Sequence, residues 1–132
     1  MITVPFFQVD AFSIGPFTGN PAGVCLLDKC LPDDIMQKIA FENNLAETAF
    51  IVPSAGDYFI RWFTPLVEVD LCGHATLASA FVVLKHIEPG KGTVTFHTLQ
   101  RGDLFVSIKG EALELDFPTD TLQRCDLPEI IS

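Results

Sequence analysis

The stretch Glu68–His86, EVDLCGHATLASAFVVLKH, constrains the fold of this chain more than any other part of the sequence. From Gly73 to Leu84 it has no Asp, Glu, Lys or Arg, and its apolar residues cover the whole circumference of a helix. A helix that is apolar on every side has to be enclosed. At about 14 residues it is shorter than the roughly 20 that a membrane span needs, so we expect protein to enclose it. In a chain of this size, a curved β-sheet is the structure that can do so.

The first turn of this predicted helix contains Cys72, Gly73 and His74. The first N–H groups of a helix have no intrahelical acceptor, and the helix dipole favours negative charge there, so an anion could bind. Gly73 has no Cβ and would let a ligand approach the backbone closely. The alternative is structural, with His74 near the helix cap and Cys72 as a small buried residue. Composition leaves both interpretations open.

The length and the charge of the chain exclude several classes of protein. A chain of 132 residues predicts one domain. Seventeen Asp and Glu against eight Lys and Arg give a net charge of −9, and the basic residues form no cluster. This argues against nucleic acid and against a membrane surface as partners. The first residues lack the features of a secretory signal, so we expect a cytoplasmic protein.

The four cysteines predict neither a disulfide framework nor a metal site. Cys25, Cys30, Cys72 and Cys125 form no CxxC pair and no Cys/His group with zinc spacing. Reduced thiols are therefore expected, and a structural metal is not.

The rest of the pattern predicts an α+β domain, with about seven strands around the enclosed helix and a second helix packed outside. The second helix begins at Leu31–Asp34, where Pro and acids suit a helix N-terminus, and it ends at Asn43–Asn44. Ser54–Asp57 predicts a hairpin turn, and the last three strands predict an antiparallel meander. Residues 118–132 lose periodicity and are interpreted as a linker or the start of a further element. The predicted strands are Ile2–Phe12, Val24–Leu27, Leu45–Pro53, Tyr58–Thr64, Thr93–Leu99, Leu104–Lys109 and Ala112–Phe117.

Two further features have both a structural and a functional interpretation. Glu47 stands among apolar residues at the start of a predicted strand. Its side chain either points outward on the polar face, or points into a pocket where it could exchange protons. Asn20 lies in a glycine-rich loop that either lines a site or is an ordinary turn. The residues by themselves do not decide either case.

Four motifs, taken together and in this order, resemble the N-terminal half of the phenazine-biosynthesis isomerase-like (PhzF) family over about residues 5–85. None of them would be sufficient alone. They are GNPAG (Gly19–Gly23), NLAETAF (Asn44–Phe50), RWFTP (Arg61–Pro65) and EVDLCGHATLA (Glu68–Ala78).

The resemblance implies the diaminopimelate-epimerase fold, in which two similar domains each roll a largely antiparallel, mixed sheet round a buried central helix. Family members work without metal or organic cofactor, so no cofactor is expected. The active site lies in the cleft between the domains, where a small carboxylated metabolite would bind.

The resemblance also implies a role for each matching residue. Glu47 would be the general acid/base that moves a proton between two carbons of the substrate, and His74 would hold or polarise the substrate. The amides around Gly73 and Ala75, together with the Asn20 loop, would receive its carboxylate or hydroxyl groups. Cys72 would line the site without acting as a nucleophile.

One departure from the family pattern concerns length, because family enzymes are about twice as long as this chain. Residues 1–117 would form one domain of the pair. The opposite wall of the cleft would then come from a missing second domain, or from a second copy in a homodimer. An isomerase is the leading interpretation, and a non-catalytic binding or assembly domain is the alternative.

Overall fold

A computed structural model of the chain describes residues 5–9, 22–70, 72–109 and 112–116. Within these residues, eight strands form one sheet and two α-helices pack against it, so the architecture is mixed α+β, as predicted. The strands are β1 (Phe6–Val9), β2 (Ala22–Leu26), β3 (Glu47–Ser54), β4 (Asp57–Phe63), β5 (Glu68–Val69), β6 (Thr93–His97), β7 (Asp103–Lys109) and β8 (Ala112–Asp116). The helices are α1 (Asp33–Asn43) and α2 (Gly73–Val82), and a π-helical turn, Val83–Ile87, continues α2.

The sheet is mixed and largely antiparallel. Its order is β1-β2-β3-β4-β6-β7-β8, and the short strand β5 pairs with one end of β4. The pairs β2–β3 and β4–β6 are parallel, and the other pairs are antiparallel. The predicted meander β6–β7–β8 is confirmed.

Each parallel pair is joined by a crossover that contains a helix, α1 between β2 and β3 and α2 between β4 and β6. Such crossovers are nearly always right-handed. Strands β2 and β4 run in opposite directions, because β3 is parallel to β2 and antiparallel to β4. Both crossovers nevertheless lead to the next strand on the same side, from β2 to β3 and from β4 to β6. Right-handed connections therefore put the two helices on opposite faces.

The packing of β3 and β4 agrees with this arrangement. Ala49 and Trp62 belong to the apolar cluster that contains α2 residues, whereas Phe50 and Phe63 belong to the cluster that contains Met36 of α1. Neighbouring residues of a strand point to opposite faces. Strands β3 and β4 therefore contribute side chains both to the core on the α2 face and to the core on the α1 face. Along β3, alternate residues point to the α2 face, beginning with the side of the strand on which Ala49 lies.

The predicted apolar helix is present, and it is almost completely buried. Helix α2 begins at Gly73, as predicted. Gly73, His74 and Phe81 are partly buried, and every other residue of the helix is fully buried. It contacts β2, β3 and β8. The regular helix ends at Val82, and the π-helical turn takes the place of the last turn that was predicted to reach His86.

The predicted hairpin and the predicted end of α1 are also confirmed. Strands β3 and β4 are joined by Ala55 and Gly56, whose φ angles are 51° and 91°. Positive φ at both central residues matches the twist of a two-residue hairpin. Helix α1 is followed by Asn44 in the left-handed conformation, with a φ of 55°.

Several predicted segments lie partly or wholly outside the described residues. The strand predicted over Ile2–Phe12 is described as Phe6–Val9, and Phe117 and residues 118–132 are not described. The domain boundary after residue 117 stays a prediction. Where the structure describes the chain, none of its helices has the length and apolar character of a membrane span.

Candidate functional site

Glu47 is the first residue of β3 and lies on the same side of that strand as Ala49 and Ile51. Both of those residues belong to the core on the α2 face, so the Glu47 carboxylate lies on that face. Its Oε1 atom is buried and has no hydrogen-bond partner among the described residues. Buried polar atoms nearly always have partners, so a carboxylate oxygen without one is unusual. Of the two orientations considered for Glu47, the outward one does not fit this burial.

The strand that follows the glycine-rich loop lies directly beside Glu47. Ala22, the first residue of β2, is the register partner of Glu47 in the parallel pair β2–β3. Asn20 lies just before this strand in the sequence and outside the described residues. Its substrate-binding role therefore stays a prediction.

The first turn of α2 is capped by Cys72. The Sγ atom of Cys72 accepts a hydrogen bond from the Ala75 N–H at 3.5 Å, and its carbonyl accepts one from the Thr76 N–H at 3.0 Å. The second of these is the first backbone hydrogen bond of the helix, so the N–H groups of Gly73 and His74 precede the helical ladder. Gly73 and His74 are half-buried, whereas Ala75 is fully buried.

Two hydrogen bonds show in which direction α2 runs over the sheet. Near the start of α2, the Trp62 Nε1–H donates to Thr76 Oγ1 at 3.0 Å. Just beyond its end, the Tyr58 hydroxyl donates to Glu88 Oε2 at 2.7 Å. Because β4 is antiparallel to β3, Trp62 lies beside the beginning of β3 and Tyr58 lies beside its end. Helix α2 therefore runs in the same direction as β3.

The beginning of β3 and the first turn of α2 consequently lie at the same edge and on the same face of the sheet. Glu47 precedes Ala49, the register partner of Trp62, by two residues, or about 7 Å along the strand. Gly73 precedes Thr76 by three residues, or about 4.5 Å along the helix axis. Both displacements point the same way from the bond between Trp62 and Thr76. The fold thus brings Glu47 to the edge where the helix start lies.

Sequence reasoning missed two residues at this edge, Trp62 and Thr76. The structure also limits the predicted role of the Ala75 N–H. Trp62 and Thr76 join the strand to the helix, and the signal was present in the sequence, since a buried indole N–H needs an acceptor. The Ala75 N–H already donates to Cys72 Sγ, so a substrate oxygen could bind this N–H only by displacing the Sγ atom. The binding roles of Ala75 and Cys72 remain predictions.

Two surface cavities are bounded by described residues, and neither has Glu47 or His74 in its lining. In the described part of the chain, no three His, Cys, Asp or Glu residues are grouped as metal ligands would be. The prediction that no cofactor is needed stays a prediction.

These features define an α+β domain whose candidate site combines the start of a buried helix with Glu47, whose buried Oε1 atom has no hydrogen-bond partner among the described residues. The family profile described as phenazine biosynthesis-like protein matches residues 9–129. The chain belongs to this family.

Similar proteins include an uncharacterized isomerase of Pseudomonas aeruginosa, which is 52% identical over 123 residues, covering 93% of this chain and 47% of that protein. Among solved structures, a PhzC/PhzF protein from Clostridium difficile is 50% identical with a TM-score of 0.80, over 88% of this chain and 44% of that one. A Pseudomonas aeruginosa protein described as a predicted epimerase is 26% identical with a TM-score of 0.69, over 84% of this chain and 41% of that one. The chain therefore spans about half the length of the proteins that it matches.

Proposed function

We propose that this chain is the N-terminal half of an isomerase site that moves a proton on a small carboxylated metabolite, without metal or organic cofactor. The observation that carries the proposal is the buried Oε1 atom of Glu47, which has no partner among the described residues and lies at the edge where α2 begins. A carboxylate oxygen that has no donor among the described residues is available to take a proton from a substrate C–H group. Membership of a family that includes proteins named as isomerases supports the same reaction class.

Glu47 takes a proton from one carbon of the substrate and returns it to another. A positioned acid/base group of this kind contributes about 10²- to 10⁴-fold to the rate. Negative charge develops on the substrate when the proton leaves, and the N–H groups of Gly73 and His74 at the helix start stabilise it. The oxygen atoms of a substrate carboxylate conjugated to the reacting carbon bind to the same N–H groups.

The other predicted residues hold the substrate in this proposal. The imidazole of His74 binds or polarises a substrate oxygen, and the Asn20 loop and the amide region of Ala75 receive its polar groups. Cys72 lines the site and caps the helix without attacking the substrate. In this arrangement, the sheet is rolled round α2 as in one half of a diaminopimelate-epimerase-like fold, and the helix start faces the cleft.

The opposite wall of the cleft is supplied from outside the described residues in this proposal. The matched proteins are about twice as long as this chain. A second domain, or a second copy of the chain in a homodimer, completes the site. Light scattering across micromolar concentrations tests the homodimer, and a strict monomer contradicts it.

Solvent exchange tests the reaction itself. The chain is incubated in D₂O with a panel of small 2-amino, 2-hydroxy and unsaturated carboxylic acids, and ¹H NMR follows the loss of carbon-bound protons. Glu47→Gln is expected to abolish exchange while the acid still binds, because the amide cannot take the proton. Glu42→Gln, on the exposed surface of α1, is the matched control and should exchange as the wild type does. Exchange that survives in Glu47→Gln would overturn the role of Glu47.

The second candidate function is binding without catalysis, which rests on the start of α2, where the N–H groups of Gly73 and His74 precede the first backbone hydrogen bond of the helix. The domain would then bind a carboxylated metabolite at the helix start, and Glu47 would exchange no proton with it. Binding of an acid by the wild type with no exchange in D₂O, and equal binding by Glu47→Gln, would identify a binding module.

A further inference from the structure

We propose that the hydrogen bond between Trp62 and Thr76 is the positioning device that holds the start of α2 over Glu47. Trp62 and Thr76 are positioning residues in this proposal, because they act through the helix start and do not touch the substrate. That this positioning serves catalysis rests on the proposed function. That the hydrogen bond fixes the helix start relative to Glu47 is tested without a substrate.

The Thr76 hydroxyl joins the strand to the helix cap through two hydrogen bonds. It accepts from the Trp62 Nε1–H at 3.0 Å and donates to the carbonyl oxygen of Cys72 at 2.7 Å. An indole N–H can only donate and a carbonyl can only accept, so the direction of both bonds is unambiguous. Thr76 is fully buried and Trp62 is 2% exposed, so water does not compete for either bond.

The connection from this bond to Glu47 runs through rigid sheet hydrogen bonding. Trp62 is the register partner of Ala49, and Glu47 is two residues before Ala49 on the same face. Cys72, the N-cap residue of α2, is followed directly by Gly73. The carboxylate and the helix start are therefore each only a short step from the same bond. A change in that bond shifts one relative to the other.

Packing alone does not require a hydroxyl at position 76. Valine has the same shape as threonine and would fill the same buried space, but it would leave the Trp62 N–H without an acceptor. Ser79, the other fully buried hydroxyl of α2, illustrates the contrast, because it donates to the Ala75 carbonyl of its own helix at 2.8 Å. The Thr76 hydroxyl makes a link to the sheet that the Ser79 hydroxyl does not.

The test compares Thr76→Val and Trp62→Phe with the conservative variant Thr76→Ser. The first readout is the rate at which iodoacetamide alkylates Cys72, measured by peptide mass spectrometry. Cys30 is exposed and serves as the internal standard in every variant. Burial raises the pKa of the Cys25 thiol to about 12, so Cys25 stays protonated and unreactive.

The second readout is the ¹³C chemical shift of the labelled Glu47 carboxyl group at a fixed neutral pH. Thr76→Val and Trp62→Phe are expected to change the Cys72 alkylation rate several-fold relative to Cys30, and to change the chemical shift of the Glu47 carboxyl group. Thr76→Ser is expected to restore both values. A role limited to stability would leave both readouts unchanged in variants that remain folded.

Two matched controls each remove one hydroxyl group that does not contact the Trp62–Thr76 bond. Tyr58→Phe removes the bond to Glu88 at the far end of the helix, and Ser79→Ala removes the hydroxyl that bonds within the helix. Both are expected to leave the alkylation ratio and the Glu47 carboxyl chemical shift unchanged. A shift in either control equal to that in Thr76→Val contradicts a specific role for the Trp62 bond.

The outcome separates this inference from the proposed function, because neither readout needs a substrate. If Thr76→Val changes both readouts while the wild type exchanges no acid in D₂O, the positioning device stands and the proposed reaction fails. If the wild type exchanges an acid while folded Thr76→Val and Trp62→Phe match it in both readouts, the positioning device is overturned. Should Thr76→Val fail to fold, Trp62→Phe decides by the same two readouts.

Discussion

Asp33 Oδ1 and Arg61 Nη1 lie 2.9 Å apart and join the first residue of α1 to the middle of β4. Arg61 also donates two hydrogen bonds to the carboxylate of Glu68 in β5, at 2.7 and 2.8 Å. One guanidinium thus holds a helix and an edge strand against the strand that pairs with β3. The Arg61 side chain is 18% exposed, whereas the Asp33 side chain is 76% exposed.

Asp33→Asn is expected to reduce stability at neutral pH and to have no effect in strong acid. The hydrogen bond and the charge of Arg61 lower the pKa of Asp33 from its ordinary value of 3.8. A lowered folded-state pKa gives stability that is present above 3.8 and is lost as the pH falls through the lowered value. Urea midpoints measured at neutral pH and in strong acid check this. The effect is expected to be small, because Asp33 is exposed.

Asp34→Asn is the control for this measurement, since Asp34 occupies the same first turn of α1 and forms no ion pair with the described residues. Both substitutions remove a charge that favours the helix dipole. Only the Asp33 variant should show the additional loss that disappears in acid. Equal behaviour of the two variants would assign the effect to the dipole alone.

Gly56→Ala is expected to cost about 1 kcal/mol, because Gly56 has a φ of 91° and a side chain is strained there whatever space is available. An added Cβ would meet no atom within 4 Å, so the cost is conformational and not steric. Gly92→Ala is the matched control, because that position is equally open and its φ is not positive. Chemical denaturation should show a loss for Gly56→Ala and no loss for Gly92→Ala. Equal midpoints would contradict the turn assignment.

Local features of the fold were predictable because their causes are local. The beginning of α2 at Gly73 followed from its uncharged apolar run, the end of α1 from two asparagines, and the β3–β4 turn from the polar residues Ser54–Asp57. Alternation also identified the strands of the final meander. Each of these signals is contained within a few residues of sequence.

Relationships across the sheet were not predictable in the same way. A strand pattern does not state the direction of its neighbour, so the parallel pairs β2–β3 and β4–β6 were missed. The two-residue strand β5 is too short to produce a pattern. Glu47 was ambiguous because its face depends on where α2 lies, and that is fixed by distant contacts such as the one between Trp62 and Thr76. The family resemblance pointed to Glu47 where the local pattern did not.

Leu77→Ala is expected to destabilise the domain by about 2–5 kcal/mol, since Leu77 is fully buried in α2 and its removal leaves a cavity. Leu66→Ala removes the same atoms from a side chain that is 76% exposed and should change stability by less than about 0.5 kcal/mol. Urea denaturation of both variants gives the comparison. A small loss for Leu77→Ala would contradict the enclosure of α2 on which the fold depends.

Glu47→Gln is expected to unfold at a urea concentration equal to or higher than that of the wild type, with a gain of up to about 1 kcal/mol. The reason is the buried Oε1 atom without a partner among the described residues, because burying a charged group without compensation costs more than burying a neutral amide. Glu42→Gln changes an exposed carboxylate in the same way and should stay within about 0.5 kcal/mol of the wild type. A site that holds a carboxylate at the expense of stability, and loses proton exchange when that carboxylate is neutralised, has kept it for its chemistry. A clear loss of stability in Glu47→Gln would instead show that the carboxylate makes stabilising contacts in the folded chain.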